Sequence, residues 1–384
     1  MRSAATDSLP SLPASRYLAY KTEIDDAIAR VFASGQFILG AQTAAFEAEF
    51  ARFLGASHCV GVASGTDALE LALRACGVGA GDAVMTVSWT ATATVAAIER
   101  AGATPVFVDV DADTFTMDPE DLAKIIAEHL RSASGPKLKA VIPVHLYGHP
   151  ADMPSIVRIA RTHGLKIVED CAQSHGATLD GRTTGTWGDA AAFSFYPTKN
   201  LGAFGDAGAV VTNDDALAER VRLLREYGWQ PRHISSIPGV NSRLDELQAA
   251  MLRVLLKHLP AENRKRQELA HRYADTLSRT GVTVPLTRSS TVHAFHQYVI
   301  RSSRRDPLKS FLQDQGIATQ IHYPAPVHLQ PAYAGRVLHR SLPRTEAAAR
   351  EVLSLPMSPY FEHAQIAKAL AALTHWQKGK PSSA

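Results

Sequence analysis

The sequence predicts an α/β protein whose large domain is a three-layer α/β/α sandwich with a mostly parallel sheet, followed by a smaller C-terminal α/β domain. Three observations carry that expectation. Short apolar runs alternate with helix-period stretches over the first part of the chain, the chemically distinctive residues fall where those runs end, and a helix and strand pattern resumes after Pro260.

In order, Cys59 to Val62 is an apolar run that opens into the helical pattern Ala68 to Leu73. Strand-like runs follow at Ala83 to Trp89, Pro105 to Asp109, Lys139 to Leu146, Lys166 to Asp170, Ala190 to Phe195 and Gly208 to Thr212. Helix-like stretches separate them at Thr90 to Arg100, Pro119 to Leu130, Met153 to Thr162 and Asp215 to Glu226. A long helix is expected from about Asn241 to Leu259, because Leu244, Leu247, Met251, Val254, Leu255 and Leu259 share one face. Further helices at Arg264 to Leu277 and Pro307 to Gln315 flank a strand-like Phe295 to Ile300. The expected division is a loosely attached segment 1–16, a large domain 17–258, a small domain 259–378 and a frayed tail 379–384.

Composition narrows the class without naming it. The chain has 384 residues, 46% apolar and 20% charged, as in an ordinary globular enzyme. Its formal charge is 40 − 37 = +3 with basic residues dispersed, which gives no case for a nucleic-acid partner. Cys59, Cys76 and Cys171 form no CxxC pair, so no metal is expected and reduced thiols in the cytoplasm are the simplest account. No apolar run is long enough to span a bilayer, and Met1 to Arg16 lacks the basic head and apolar core of a signal peptide.

The chemistry centres on Ser194-Phe195-Tyr196-Pro197-Thr198-Lys199-Asn200-Leu201-Gly202, which sets one lysine between an apolar strand and a glycine-bearing turn. An amine held against apolar walls loses its proton more easily, and only the neutral amine attacks an aldehyde. Lys199 therefore reads as a Schiff-base lysine rather than a solvated one. Upstream, Ala63-Ser64-Gly65-Thr66-Asp67 feeds a strand into a helix through small residues, which suits either an ordinary N-cap or a phosphate held by Gly65 and Thr66. Glu169-Asp170 closes a β-rich run. Asp170 there is a structural carboxylate or the partner of a protonated pyridine nitrogen, and Gln173 has an amide able to donate to a phenolic oxygen. Together these are the parts of a pyridoxal phosphate site.

At these residues the chain resembles the DegT/DnrJ/EryC1/StrS sugar aminotransferases, which share the type I fold of pyridoxal-phosphate-dependent transferases. The resemblance runs from about Gly35 to about Tyr333, through Gly35 to Gly40, Ser64 to Leu69, Pro143 to Gly148, Glu169-Asp170 and Ser194 to Gly202. It implies that Lys199 carries the cofactor, Asp170 binds the pyridine nitrogen, Gln173 approaches the phenolic oxygen and Ser194 joins Gly65 and Thr66 at the phosphate. Trp89 stands where an aromatic stacks on the ring, although a core tryptophan fits the residues alone equally well. Asn241 matches an asparagine that reaches the partner's phosphate across a homodimer with shared sites; from the residues alone, Asn241 or Ser242 is a helix cap.

His322 and Tyr323, and Tyr196 with them, offer hydrogen bonds to a sugar or serve as structural side chains. The run Glu226 to His233, with Asn241 to Glu246, looks most like the branch acting on dTDP-linked 3-keto-6-deoxyhexoses. That branch implies transamination from L-glutamate, with pyridoxal phosphate passing through its amine form, pyridoxamine phosphate, to give a 3-amino sugar. Alternatives are amination at C4 or of a UDP- or GDP-linked sugar, a sugar dehydratase, in which the resemblance puts histidine at the Lys199 position, and a non-catalytic regulator.

Overall fold

A computed structural model describes residues 12–131, 135–278, 281–335 and 340–378. Its strands are β1 (His58–Val62), β2 (Asp82–Val87), β3 (Thr104–Val108), β4 (Lys137–Ile142), β5 (Lys166–Asp170), β6 (Thr178–Leu179) and β7 (Arg182–Thr183). They continue with β8 (Ala190–Ser194), β9 (Gly208–Thr212), β10 (Thr291–Val292), β11 (Tyr298–Arg301) and β12 (Val352–Leu355). The helices are α1 (Leu12–Ala19), α2 (Lys21–Ser34), α3 (Ala41–Leu54), α4 (Gly65–Ala75), α5 (Thr92–Arg100) and α6 (Pro119–Arg131). After them come α7 (Met153–Thr162), α8 (Asp215–Leu224), α9 (Glu246–Leu277), α10 (Arg305–Asp314), α11 (Pro343–Glu351) and α12 (His363–Lys378).

Seven strands form the main sheet in the order β1-β9-β8-β5-β4-β2-β3. β2, β3, β4, β5 and β8 run parallel to their neighbours, and β9 is antiparallel to both β8 and β1. It follows that β1 points the same way as the parallel strands, so every strand but β9 ends on one edge. Both faces are covered, as the apolar strands require. In β8, Ala190 and Ala192 enter one core with α4 to α8, whereas Ala191 and Phe193 enter the other with α2, α3 and the first half of α9. That alternation is the two-residue period of a strand buried on both sides. Phe50 anchors the second core, its ring 5.0 Å from that of Phe193 and 5.2 Å from that of Phe195.

The small domain has its own core, in which Leu269, Tyr273 and Leu277 of α9 meet Tyr298 and Ile300 of β11, Leu308 and Leu312 of α10 and Leu353 of β12. α9 thus serves both domains, and the expected boundary at 258/259 falls inside one continuous helix. Pro260 does not end it. A helix-interior proline costs about 3 kcal/mol, and two fully buried leucines return roughly that amount; Leu259 on one side and Leu269 on the other are both buried.

Two further expectations are corrected. The helix starts at Glu246, not near Asn241, and neither Asn241 nor Ser242 caps it. The segment before it is extended, with Asn241 bridged to Glu226 and Asp245 to Ile38, and the Ser242 hydroxyl is spent on the Asp67 carboxylate (2.7 Å). Glu246 itself caps another helix, accepting from the N–H groups of Gly40, Gln42 and Thr43 at the start of α3. Of the segment 1–16 expected to hang loosely, residues 1–11 lie outside the described residues, but 12–16 form part of α1 and Arg16 is 1% exposed. The expected tail 379–384 also lies outside the described residues.

Candidate active site

The shared carboxyl edge of the parallel strands collects the site. β5 ends at Asp170, whose main chain is fixed by Asp170 N to Pro143 O (2.9 Å) and His145 N to Asp170 O (3.1 Å). Its carboxylate accepts from the Thr94 hydroxyl on α5 (2.8 Å) and from Ala172 N (3.1 Å). The neighbouring strand β8 ends at Ser194, and the turn beyond it carries Lys199. Burial lowers the Lys199 ammonium from 10.5 to about 8, against the Asp170 carboxylate, which pulls the other way. The opposing pull shows that the two groups share one electrostatic environment.

The third part is the start of α4. Ser64 is its N-cap, accepting from Asp67 N (3.1 Å), and the first intrahelical bond runs from Ala68 N to Ser64 O (2.9 Å). The N–H groups of Gly65 and Thr66 precede that bond at the positive end of the helix, next to the Ser194 hydroxyl. A Cβ on Gly65 would fall 2.5 Å from Ser194 Cβ, and one on Gly208 would fall 2.3 Å from Ser64 O. Only glycines let the helix start approach the ends of β8 and β9 this closely. The result is a glycine-walled cradle with amide donors, suited to a phosphate.

Opposite lies an aromatic and amide network. Trp89, fully buried after β2, donates from Nε1 to the Tyr147 hydroxyl (2.9 Å), and its ring meets that of Tyr323 edge-on at 6.0 Å. Gln173 is oriented from both sides: Oε1 accepts from Tyr147 N (2.7 Å) and Nε2 donates to the Tyr323 hydroxyl (3.0 Å). An amide nitrogen has two protons, so Gln173 keeps one to donate elsewhere. Burial pushes the Tyr323 hydroxyl up to about 12 and the Tyr147 hydroxyl well above its ordinary value. The His322 ring shares its Nδ1 with the Ser354 hydroxyl (2.8 Å), and burial, then the charge of Lys199, holds it below 6.5.

The structure therefore brings together Gly65, Thr66 and Ser194 on one side and Trp89, Gln173, His322 and Tyr323 on the other, with Asp170 and Lys199 between. Tyr196 and Asn241 are not gathered in: both face outward, Tyr196 with 51% exposure. The motifs assigned no role to Tyr147, Thr94 or Ser354. Tyr147 lay within a quoted motif, but its left-handed backbone (φ 59°), which aims its N–H at Gln173, has no signature at a tyrosine. Ser354, on β12, carried none at all.

The ligand atoms of His145, Glu169 and Cys171 lie within 4.8 Å of one another, yet the lone pairs of His145 and Glu169 are taken. His145 Nδ1 accepts from Ala151 N and its Nε2 donates to Glu169, which also accepts from Gly185, Trp187 and Gly188 N–H groups. Burial raises the Cys171 thiol far above its usual value, which suits a packing group and not a nucleophile.

A lysine of lowered basicity, a carboxylate held by donors and a helix-start cradle make up a pyridoxal phosphate site in its donor set. Comparison with known proteins agrees. The family model for the DegT/DnrJ/EryC1/StrS aminotransferase family matches residues 19–374. The chain belongs to that family. A Streptomyces venezuelae relative named dTDP-3-amino-3,4,6-trideoxy-alpha-D-glucose transaminase is 48% identical over 376 residues, 97% of each chain. The crystal structure of S. venezuelae DesV in complex with a ketimine intermediate superposes with a TM-score of 0.92 at 47% identity, covering 98% of this chain and 100% of that one. NtdA of Bacillus subtilis, solved with bound cofactor PMP, gives a TM-score of 0.87 at 30% identity, covering 98% and 87%.

The cradle yields a direct expectation. Gly65→Ala drives a methyl into Ser194, so affinity for pyridoxamine phosphate, which binds without a covalent link, should fall about tenfold or more, a loss of roughly 1.4 kcal/mol. Equilibrium titration checks it; unchanged affinity would place the phosphate elsewhere.

Proposed function

We propose that this protein transfers the amino group of L-glutamate to a dTDP-linked 3-keto-6-deoxyhexose, leaving 2-oxoglutarate and a 3-amino sugar nucleotide. The observation that carries it is the lysine of lowered basicity facing Asp170 beside the glycine-walled cradle. The names of the relatives supply the sugar class.

Pyridoxal phosphate, when bound, supplies an aldehyde that exchanges Lys199 for an amino substrate and a ring that withdraws electrons from the substrate carbon. Gly65, Thr66 and Ser194 would hold its phosphate, Asp170 would pair with the ring nitrogen, Gln173 would donate to the phenolic oxygen and Trp89 would pack on the ring. The Thr94 hydroxyl and Ala172 N orient the Asp170 carboxylate. With its basicity lowered by burial, Lys199 would serve as the base that takes the proton from the amino donor's α-carbon and gives one back during sugar amination. His322 and Tyr323, carried in from the small domain, bind the sugar, and the exposed Tyr196 hydroxyl offers it a further hydrogen bond. A mildly basic chain accommodates the diphosphate.

The site is completed by a second copy, with Asn241 of each subunit reaching the other's phosphate. Asn241 is exposed here, and the strand pairing that holds it lies next to Phe37 and Ile38, each 42% exposed, which run beside Asp245 and Glu246. Exposed aromatic and aliphatic side chains along this segment suit a homodimer surface. Cytoplasmic residence fits the buried free thiols, and no helix among the described residues is long and apolar enough to cross a membrane.

Three outcomes are expected. Glutamate with a panel of keto-sugar nucleotides should yield 2-oxoglutarate and an amino sugar most efficiently from the dTDP-linked 3-keto-6-deoxyhexose; a preference for a C4 ketone or a UDP sugar would redirect the assignment, and no product from any would reject it. Covalent capture of pyridoxal phosphate by cofactor-free protein should rise about tenfold per pH unit below 8 and level off above it, because only the neutral amine attacks; Lys199→Ala should fold and capture none. Mixed dimers of Lys199→Ala and Asn241→Asp subunits should regain one intact site each, whereas no complementation would mean that Asn241 serves its own chain.

A further inference from the structure

The turn that carries Lys199 turns four carbonyl oxygens inward, and a single side chain from the far N-terminal helix meets all of them. Arg16 Nη1 donates to Pro197 O (2.8 Å) and Gly202 O (3.1 Å), and Nη2 donates to Lys199 O (2.7 Å) and Asn200 O (3.2 Å). At 1% exposure Arg16 is out of water, and among the described residues no carboxylate bonds to it. Tyr360 faces both Arg16 and Glu262, as does Tyr20, and Glu262 accepts from both tyrosines.

The turn is shaped for this guest. A Cβ on Gly202 would lie 2.6 Å from Arg16 Nη1 and 2.7 Å from Pro197 O, so the glycine makes room for the guanidinium. On the opposite side, Asn200 Nδ2 donates to Asn263 Oδ1 on α9 (2.9 Å) and to Ala294 O (2.8 Å). Lys199 N is bonded within the turn to Tyr196 O (2.8 Å). The backbone that aims the lysine is therefore gripped from α1 and from α9, with no regular secondary structure of its own. A planar fork with five donors can serve four separated carbonyls; the ammonium of a lysine, with three protons on one atom, cannot.

We propose that Arg16 is the positioning residue of Lys199: by gripping the turn's carbonyls it holds the amine on line with the cofactor aldehyde. This rests on the reading of Lys199 as the cofactor lysine. It also makes α1 a working part of the active site, although the sequence reads residues 1–16 as a loosely attached segment.

The test compares full-length wild type, Arg16→Gln and Arg16→Lys, each freed of cofactor and shown folded by circular dichroism. Two quantities are read: the rate of covalent capture of pyridoxal phosphate, trapped with borohydride and mapped to its peptide, and the affinity for pyridoxamine phosphate, which needs no lysine attack. Arg16→Gln should capture at least about tenfold more slowly, as misplacement of a reacting group does, with pyridoxamine phosphate affinity kept within about threefold. Arg16→Lys should recover part of the rate. Capture within about twofold of wild type, or an equal loss of both quantities, would overturn the clamp. If Arg16→Gln does not fold, the same comparison is made on Arg16→Lys, where an unaltered rate again overturns it. A wild-type label on any other residue would overturn the Lys199 assignment and the clamp with it, while a Lys199 label with unaltered kinetics in the variants defeats the clamp alone.

Discussion

Desolvation of one ammonium group governs this molecule's chemistry. Lys199 loses the water that would keep it charged, and the nearby Asp170 carboxylate returns only part of that stabilisation, so the amine comes to half-neutrality near pH 8. A fully exposed lysine would hold its proton, and a lysine buried without Asp170 would lose it further. The balance needs an apolar wall and a fixed carboxylate at once. Phe193 and Phe195 supply part of the wall beneath the turn, and Thr94 and the Ala172 amide fix the carboxylate.

The sheet order explains why these groups meet. Asp170 and Ser194 end the adjacent parallel strands β5 and β8, Trp89 follows β2, and the cradle follows β1 on the same edge. The antiparallel strand β9 sits between β1 and β8, and its first residue, Gly208, packs against Ser64 at the very start of α4. One reversed strand thus draws the helix start to the lysine strand instead of leaving it a full crossover away. Glycine at 65 and 208 is the chemical condition for that approach, since any side chain there would strike Ser194 or the Ser64 carbonyl.

Sequence patterning read the large domain closely: strands Lys166–Asp170 and Gly208–Thr212 and helix Met153–Thr162 have the expected limits, because each carries apolar residues at the right period and is bounded by polar or small residues. Of the motif residues, Gly65, Ser194, Asp170 and Lys199 fall along one edge of the main sheet, whereas Tyr196 and Asn241 face outward. Failures came where a distant partner overrides local preference. Ser242 looked like a helix cap but spends its hydroxyl on Asp67, Pro260 looked like a stop but is held in helix by burial on both sides, and Arg16 looked like part of a loose end. No window of neighbouring residues contains a bond that spans 183 positions.

The two cores are coupled through the candidate site residues themselves. Tyr147, on the large domain, accepts from Trp89, donates its own hydroxyl proton to the His322 carbonyl, and offers its N–H to Gln173, whose amide holds Tyr323. The segment carrying His322 and Tyr323 is tied in turn to β12 by Gln320 and Ser354. A shift of that segment therefore cannot leave Gln173 or Trp89 where they stand, since each hydrogen bond broken would strand a polar atom in a buried setting. The positions of His322 and Tyr323 and those of Gln173 and Trp89 are one variable, which means that substitutions chosen to retune one pair act on the other as well.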